Sequence, residues 1–350
     1  MPLDLPVLDA HVHFWDPRST PRAVSTVGRL LRWHPRLMRA VGARLFPRSA
    51  RRFVGSPELV MRAYLPAEQA AEQAGVDVRG VVHIQAGWEG KGPLAAVDET
   101  RWIESLGVDR IVGIVGHAAV DGASLPEVLA AHRAASARFV GVRDMTAHDP
   151  DRGVMDFSAP GRMERAAFRR GVAAVGEAGL TFDAWCYGPQ LGALADALRE
   201  APATRVVLCH VGTPIGVGGP FGKHGHTAAA RASILARWKD DLARVAALPN
   251  VHAKLSGLAM PVLGFGFHER ATPPTAGELA DRFGPLVEHA LAVFGPSRCF
   301  FASNFPMDKV SASWRAVFDA YASLVAGLDE PTRRGLFHDH AARFYGLTPA

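Results

Sequence analysis

The chain has 350 residues, of which 48% are hydrophobic and 21% charged, an ordinary globular composition with enough length to bury a large core. Cys186, Cys209 and Cys299 each sit in an apolar run without CxxC spacing, which argues against a disulfide framework and a cysteine zinc site and reads as three buried small residues. The formal charge of +5 is uneven: Arg18 to Arg52 contains ten arginines and no acid, so a +10 segment is attached to a body of −5.

Nothing at the N-terminus resembles a secretory signal, and no apolar run approaches the ~20 residues of a membrane helix, so the expected compartment is cytoplasmic. The basic run is not interleaved with aromatics and the body is acidic, which points away from nucleic acid and from a membrane surface.

Short β-branched runs alternate along the chain with longer stretches of helical period. Eight strands are predicted, at 7–13, 78–86, 110–118, 139–145, 180–187, 205–212, 251–258 and 299–306. Helices are predicted between them at about 67–75, 93–106, 124–137, 161–178, 189–201, 230–248, 277–294 and 309–326, with a last one at about 330–345. Eight strands each followed by a helix is the count that closes a barrel, so the expected fold class is α/β, a single-domain (β/α)8 TIM barrel over 1–350. An open doubly wound sheet would place a Gly-rich turn after its first strand, whereas HFWDPRST stands there, and the glycine cluster 216–222 lies in a loop.

Three connections are too long for simple joints: 14–66, 213–230 and 259–276. All follow strands, which puts them on the C-terminal face of a barrel, where such folds do chemistry. Within 14–66, apolar residues from Val27 to Leu45 recur at helical spacing with arginines opposite, the pattern of an amphipathic lid helix.

Polar residues collect at the strand ends, where a barrel strand is otherwise Val, Ile or Leu. His11 and His13 are two apart, so on a strand they face the same side and can grip one ion or one oxygen together. His210, after VVLC, could add a third imidazole, and three histidines suit Zn²⁺ with an open position for water. Arg143 is a planar fork suited to a carboxylate, or else an ion-pair partner of Asp144. Lys254 is either a salt bridge at the barrel mouth or a substrate contact. His224, His226 and His268 lie on long loops and read as lid or solvent-facing residues.

In this order, LDAHVHFWDP (8–17), VVHIQAGW (81–88), FVGVRDM (139–145), LTFDAWCYGPQL (180–191), VVLCHVGTP (206–214), NVHAKLSGL (250–258) and RCFFASNFPMDK (298–309) resemble the amidohydrolase-related family, and within it the lactonase-like branch. The resemblance implies a distorted TIM barrel that hydrolyses a lactone, ester or amide. It implies His11, His13 and His210 as site histidines, with Arg143 and Gln190 near the substrate; His83 and Lys254 join them as candidate substrate contacts. The sequence departs from the family twice. Asn304, in SNFP, replaces the aspartate that binds metal or acts as base at strand eight, and Cys209 stands before His210 where aspartate is common.

An amide cannot take a proton from water and is a poor zinc ligand, so Asn304 leaves the usual base missing. Two cofactor states are therefore expected: a divalent metal, zinc first, on His11, His13 and His210, or a metal-free site in which His210 or Asp183 activates water while His11, His13 and Arg143 stabilise the oxyanion. The leading expectation is a hydrolase opening a small anionic lactone or ester. Metal-dependent non-oxidative decarboxylation of an aromatic or unsaturated acid is the alternative. A degenerate subunit docking through its basic segment on a related chain is the third, and homodimers are common among such barrels.

Overall fold

A computed structural model describes residues 3–22 and 46–347, together with positions 34, 37 and 44. Eight parallel strands follow one another around the sheet in sequence order: β1 (Val7–Val12), β2 (Val78–Ile84), β3 (Ile111–His117), β4 (Phe139–Met145), β5 (Thr181–Trp185), β6 (Val206–Leu208), β7 (Val251–Leu255) and β8 (Cys299–Phe301). The seam between β8 and β1 is stitched just past the strands. Val12 bridges Phe305 in parallel, the Asn304 N–H donates to the His11 carbonyl at 2.9 Å, and the His13 N–H donates to that of Phe305 at 2.8 Å.

The helices in chain order are α1 (Arg48–Val54), α2 (Pro57–Met61), α3 (Pro66–Glu72), α4 (Val97–Ser105), α5 (Leu125–Ala135), α6 (Ala166–Glu177), α7 (Leu191–Leu198), α8 (Ala228–Ala246), α9 (Ala276–Phe294), α10 (Trp314–Leu324), α11 (Glu330–Arg334) and α12 (His340–Tyr345). Helix α9 shows how local chemistry sets these elements. Thr275 and Glu278 form a reciprocal capping box at its start, and Leu279, Phe283, Leu286, Val287, Ala290 and Phe294 form the buried stripe laid on the barrel.

Strands six and eight are shorter than the sequence suggested. Both leave extended geometry where site residues begin: His210 (φ 56°) and Val211 (φ 45°) turn left-handed after β6, and Asn304 (φ 60°) does so after β8. Positive φ in non-glycine residues, a β-branched valine above all, carries strain that surrounding structure must hold in place. The helix expected at 330–345 is interrupted by a π-helical turn over Gly335–Asp339.

Helix α12 plugs the N-terminal end of the barrel. The Phe344 carbonyl accepts from Arg205 at 2.8 Å, and His340 Nδ1 meets the Cys299 carbonyl at 3.0 Å, both next to strand starts. Phe344 and Tyr345 pack into the barrel interior with Leu8, Val207 and Phe300. The C-terminal mouth lies at the opposite end, over a cavity.

Two of the long connections are joined over that mouth. Gly216 and Gly218 N–H groups donate to the Val262 and Leu263 carbonyls at 2.9 and 2.8 Å. A Cβ on Gly219 would stand 2.4 Å from the Gly264 oxygen, so the glycine cluster serves backbone approach. The first long connection contributes α1 and α2; apart from positions 34, 37 and 44, the lid helix expected from Val27 to Leu45 lies outside the described residues. Among the described residues, no helix is long and apolar enough to cross a membrane.

Candidate active site

Beneath the mouth lies a sealed polar network. Lys254, wholly buried on β7, donates to Asp183 Oδ2 at 2.7 Å and to the Tyr345 hydroxyl at 2.7 Å, and reaches His11 Nδ1 at 3.3 Å. The Tyr345 hydroxyl donates in turn to Asp183, 2.8 Å from Oδ2. Three ammonium protons thus meet three acceptors, the condition for holding a charge in a protein interior.

That network sets the tautomers above it. A lysine ammonium can only donate, so His11 Nδ1 is the acceptor and His11 carries its proton on Nε2. This proton points to His13 Nε2, 3.2 Å away, while His13 Nδ1 donates to the Ile84 carbonyl at 2.9 Å. The line therefore runs from Lys254 through both imidazoles to a backbone oxygen. Burial holds both histidines well below their ordinary pKa, with Lys254 adding to the effect on His11 and Arg143 to that on His13.

His210 is held from the side. Its Nδ1 lies 2.9 Å from Ser256 Oγ, and Gly257 (φ 66°) lies against its ring; a Cβ at that glycine would fall 2.5 Å from Nδ1. With Nδ1 turned to Ser256, Nε2 is the ring nitrogen without a protein partner among the described residues. Burial, then the cations Arg143 and Lys254, keep this imidazole neutral.

Above these groups opens a cavity of about 610 Å³, lined among others by His13, Gln85, Arg143, Trp185, His210 and Asn304. Every one of these stands at or just past a strand's C-terminal end. Arg143 is the unusual member: it is only 5% exposed, its Nε has no hydrogen-bond partner, and among the described residues no carboxylate pairs with its guanidinium. It lies 5.1 Å from the ring centre of Trp185, and burial lowers its pKa. The neighbouring carboxylate is unavailable, because Asp144 points to the other face of β4 and is held by Arg162 at 2.7 Å and by the Val120 N–H at 2.9 Å.

The candidates from the sequence thus separate. His13, Arg143, His210 and Asn304 line the cavity, and His11 stands directly behind His13. Lys254 and Asp183 are underneath, bonded to each other, and do not line it. Gln190 is a backbone clasp: its amide donates to the Thr146 carbonyl at 2.8 Å and accepts from the His148 and Tyr187 N–H groups at 2.9 and 3.1 Å. His83 is likewise occupied, accepting from the Phe14 N–H at 3.3 Å and lying 3.3 Å from Glu99.

Sequence reasoning missed Asp308, whose Oδ1 accepts from Asn304 Nδ2 at 2.8 Å while Oδ2 accepts from the Ala259 N–H at 3.0 Å. Burial pushes this carboxyl up to about 7. Its bond leaves Asn304 Oδ1 as the free end of the amide. The spacing Asn304 to Asp308, one helical turn, was the only available signal.

For a divalent ion, His11 and His13 fit in spacing, although His11 could ligate through Nε2 only after losing the proton that its bond to Lys254 places there, and His210 forms no three-ligand cluster with them among the described residues. Two Nε2 atoms 3.2 Å apart match neighbouring ligands on a tetrahedral zinc, which Zn–N bonds of ~2.0–2.1 Å place roughly 3.3 Å apart. The His13 bond to Ile84 is the outer support a ligating histidine needs. The three-ligand cluster found among the described residues, His11, Asp183 and Cys209, has its ligand atoms within 4.8 Å of one another but is poorly suited to an ion: Asp183 is already bonded by Lys254 and Tyr345, and burial raises the Cys209 thiol to about 12.

A (β/α)8 barrel with a histidine cluster and a guanidinium at its C-terminal mouth defines the class. The chain belongs to the amidohydrolase family, whose model matches residues 8–347. Uncharacterized protein y4mH of Sinorhizobium fredii is 26% identical over 344 residues, covering 98% of this chain and 99% of its own length. L-fucono-1,5-lactonase of Burkholderia multivorans is 30% identical over 260 residues, covering 72% of this chain and 78% of its own. An amidohydrolase from Burkholderia multivorans, crystallised with bound Zn, shares the fold with a TM-score of 0.71 at 24% identity, over 98% of this chain and 99% of that one.

Proposed function

We propose that this amidohydrolase-family protein is a hydrolase that opens a small anionic lactone or ester at the mouth of its barrel. The observation that carries the reading is Arg143, a buried guanidinium with no counter-ion among the described residues, on the floor of a cavity that also holds imidazoles. Burying an unpaired charge is costly, so such a group is retained where a ligand supplies the partner, and a planar fork suits a carboxylate.

In the reaction, water oxygen bonds to the carbonyl carbon, the ring C–O bond breaks, and the departing alkoxide takes the proton that water loses. His210 Nε2 is the group suited to carry that proton, being neutral and open to the cavity. Of the two bases the sequence left open, Asp183 is committed to Lys254 and Tyr345 and lies off the cavity. Asn304 Oδ1 orients the water by accepting its second hydrogen. An imidazole of depressed basicity is a weak base, which suits an activated ester and not an ordinary amide. A zinc-type ion, if held by His13 and His210 with His11 freed of its Nε2 proton, would polarise the carbonyl and acidify water. The L-fucono-1,5-lactonase relative supports lactone opening as the reaction.

The test pairs a lactone bearing a free carboxylate with its neutral methyl ester. The expected result is a preference in kcat/KM on the order of 100-fold or more for the anion, and equal turnover of both contradicts it. Carbon dioxide release from aromatic acids, with no lactone opened, would assign decarboxylation instead. Elemental analysis then separates the two hydrolytic routes. About one zinc per chain, with activity lost on chelation, selects the metal site; full activity without metal leaves the proton to His210.

A further inference from the structure

The floor and the walls of the cavity differ in chemistry. On the floor, two buried donors lack partners, Arg143 Nε and Gln85 Nε2. The other end of the Gln85 amide already accepts from the Gly87 N–H at 2.9 Å, so the nitrogen is what remains for a ligand. Among the described residues the walls are mostly apolar, with Arg22, Glu89 and Asp156 as their charged members. Met145, Met155, Met260 and Met307 line them, with Phe157 and Trp185 packed edge to face at 4.9 Å between ring centres.

Arg22, a wall cation, is engaged: its Nε donates to the Ala86 carbonyl at 2.9 Å and its guanidinium lies 4.0 Å over Trp15. Asp156 accepts from the Asp149 N–H at 2.9 Å and lies 3.0 Å from His148 Nδ1. The walls therefore offer few polar partners for a ring of hydroxyl groups, each of which would lose its water on entry. Thioethers and aromatic edges instead match an apolar ring and adapt to its outline.

We infer that the substrate is a monocarboxylate with an apolar, ring-bearing body and not a polyhydroxylated sugar acid, its carboxylate received by Arg143 and Gln85 and its body by the methionines, Phe157 and Trp185. The inference rests on the hydrolytic reading only for the identity of the bond broken. One orphaned guanidinium receives one carboxylate, and the orphaned amide of Gln85 supplies a further donor to it. A volume of about 610 Å³ also exceeds what a single small ring fills.

The experiment compares two lactones that each carry one free carboxylate, one with an aryl substituent and one an aldarolactone with its hydroxyls. The expected result is a kcat/KM higher for the aryl compound by on the order of 100-fold. It should shrink at least tenfold in Met155→Gln, where a polar wall replaces an apolar one. Equal or reversed preference overturns the inference. If neither lactone is opened, calorimetry with the two corresponding hydroxy acids decides it. Tighter binding of the aryl acid, lost in Gln85→Leu, upholds the substrate class while the hydrolytic reading falls; equal or absent binding of the two overturns the class as well.

Discussion

Lys254 and Arg143 are two buried cations of one barrel with opposite surroundings. Lys254 has an acceptor for each of its three protons and no face on the cavity. Arg143 faces the cavity with no counter-ion among the described residues. The first is completed by the protein itself, through a tyrosine that reaches up from the C-terminal helix. The second is completed only by something that enters. Burial alone would give both residues the same importance, and the difference lies in what the protein leaves unpaired.

The comparison can be broken at several points. His210→Ala removes the proton carrier beside Arg143 and is expected to lower turnover by about 10³–10⁴-fold with unchanged circular dichroism; retained activity would remove His210 from the reaction. Lys254→Met acts on the sealed side, leaving Asp183 as an uncompensated buried carboxylate, at an expected cost of about 3–5 kcal/mol in denaturant unfolding. The double variant Lys254→Met/Asp183→Leu should recover most of that loss, and a double variant as unstable as the single one would show that the pair is not the unit.

Acid should expose the same architecture. His11, His13 and His210 refuse protons in the fold but accept them near pH 6.5 when unfolded, so the unfolded state binds more protons below that value. Stability is then highest above pH 6.5 and falls as pH drops through it, each imidazole contributing about 1.4 kcal/mol per pH unit once well below. His210→Gln should make the descent shallower, as read by urea midpoints from pH 7 to 5. The smallest effect is expected at Asp308→Ala, which frees the Asn304 amide to rotate: kcat falls about tenfold, the worth of one hydrogen bond, with KM little changed.

Much of this barrel is legible in the sequence because parallel strands buried on both faces read as short apolar runs, and polar residues at their ends stand out against them. His11, His13, Arg143 and His210 are visible on that ground. What pairs with what is not. Nothing near Asp183 in sequence announces Tyr345, 162 residues away, as its partner. Gln190 matches a family piece but spends its amide on three backbone groups, a fate decided by loop geometry. The ends of strands six and eight were overestimated because apolar residues such as Val211 continue the pattern after the backbone has turned left-handed.

The most direct test is Arg143→Met, measured for stability and turnover in the same preparation. An unpaired buried charge replaced by an apolar side chain of similar length should leave the protein as stable or raise its unfolding free energy by roughly 1–3 kcal/mol, while hydrolysis of the carboxylated lactone is lost and its neutral ester is affected least. A marked fall in stability with turnover of the anionic substrate intact would mean that Arg143 serves the fold, and would contradict the account.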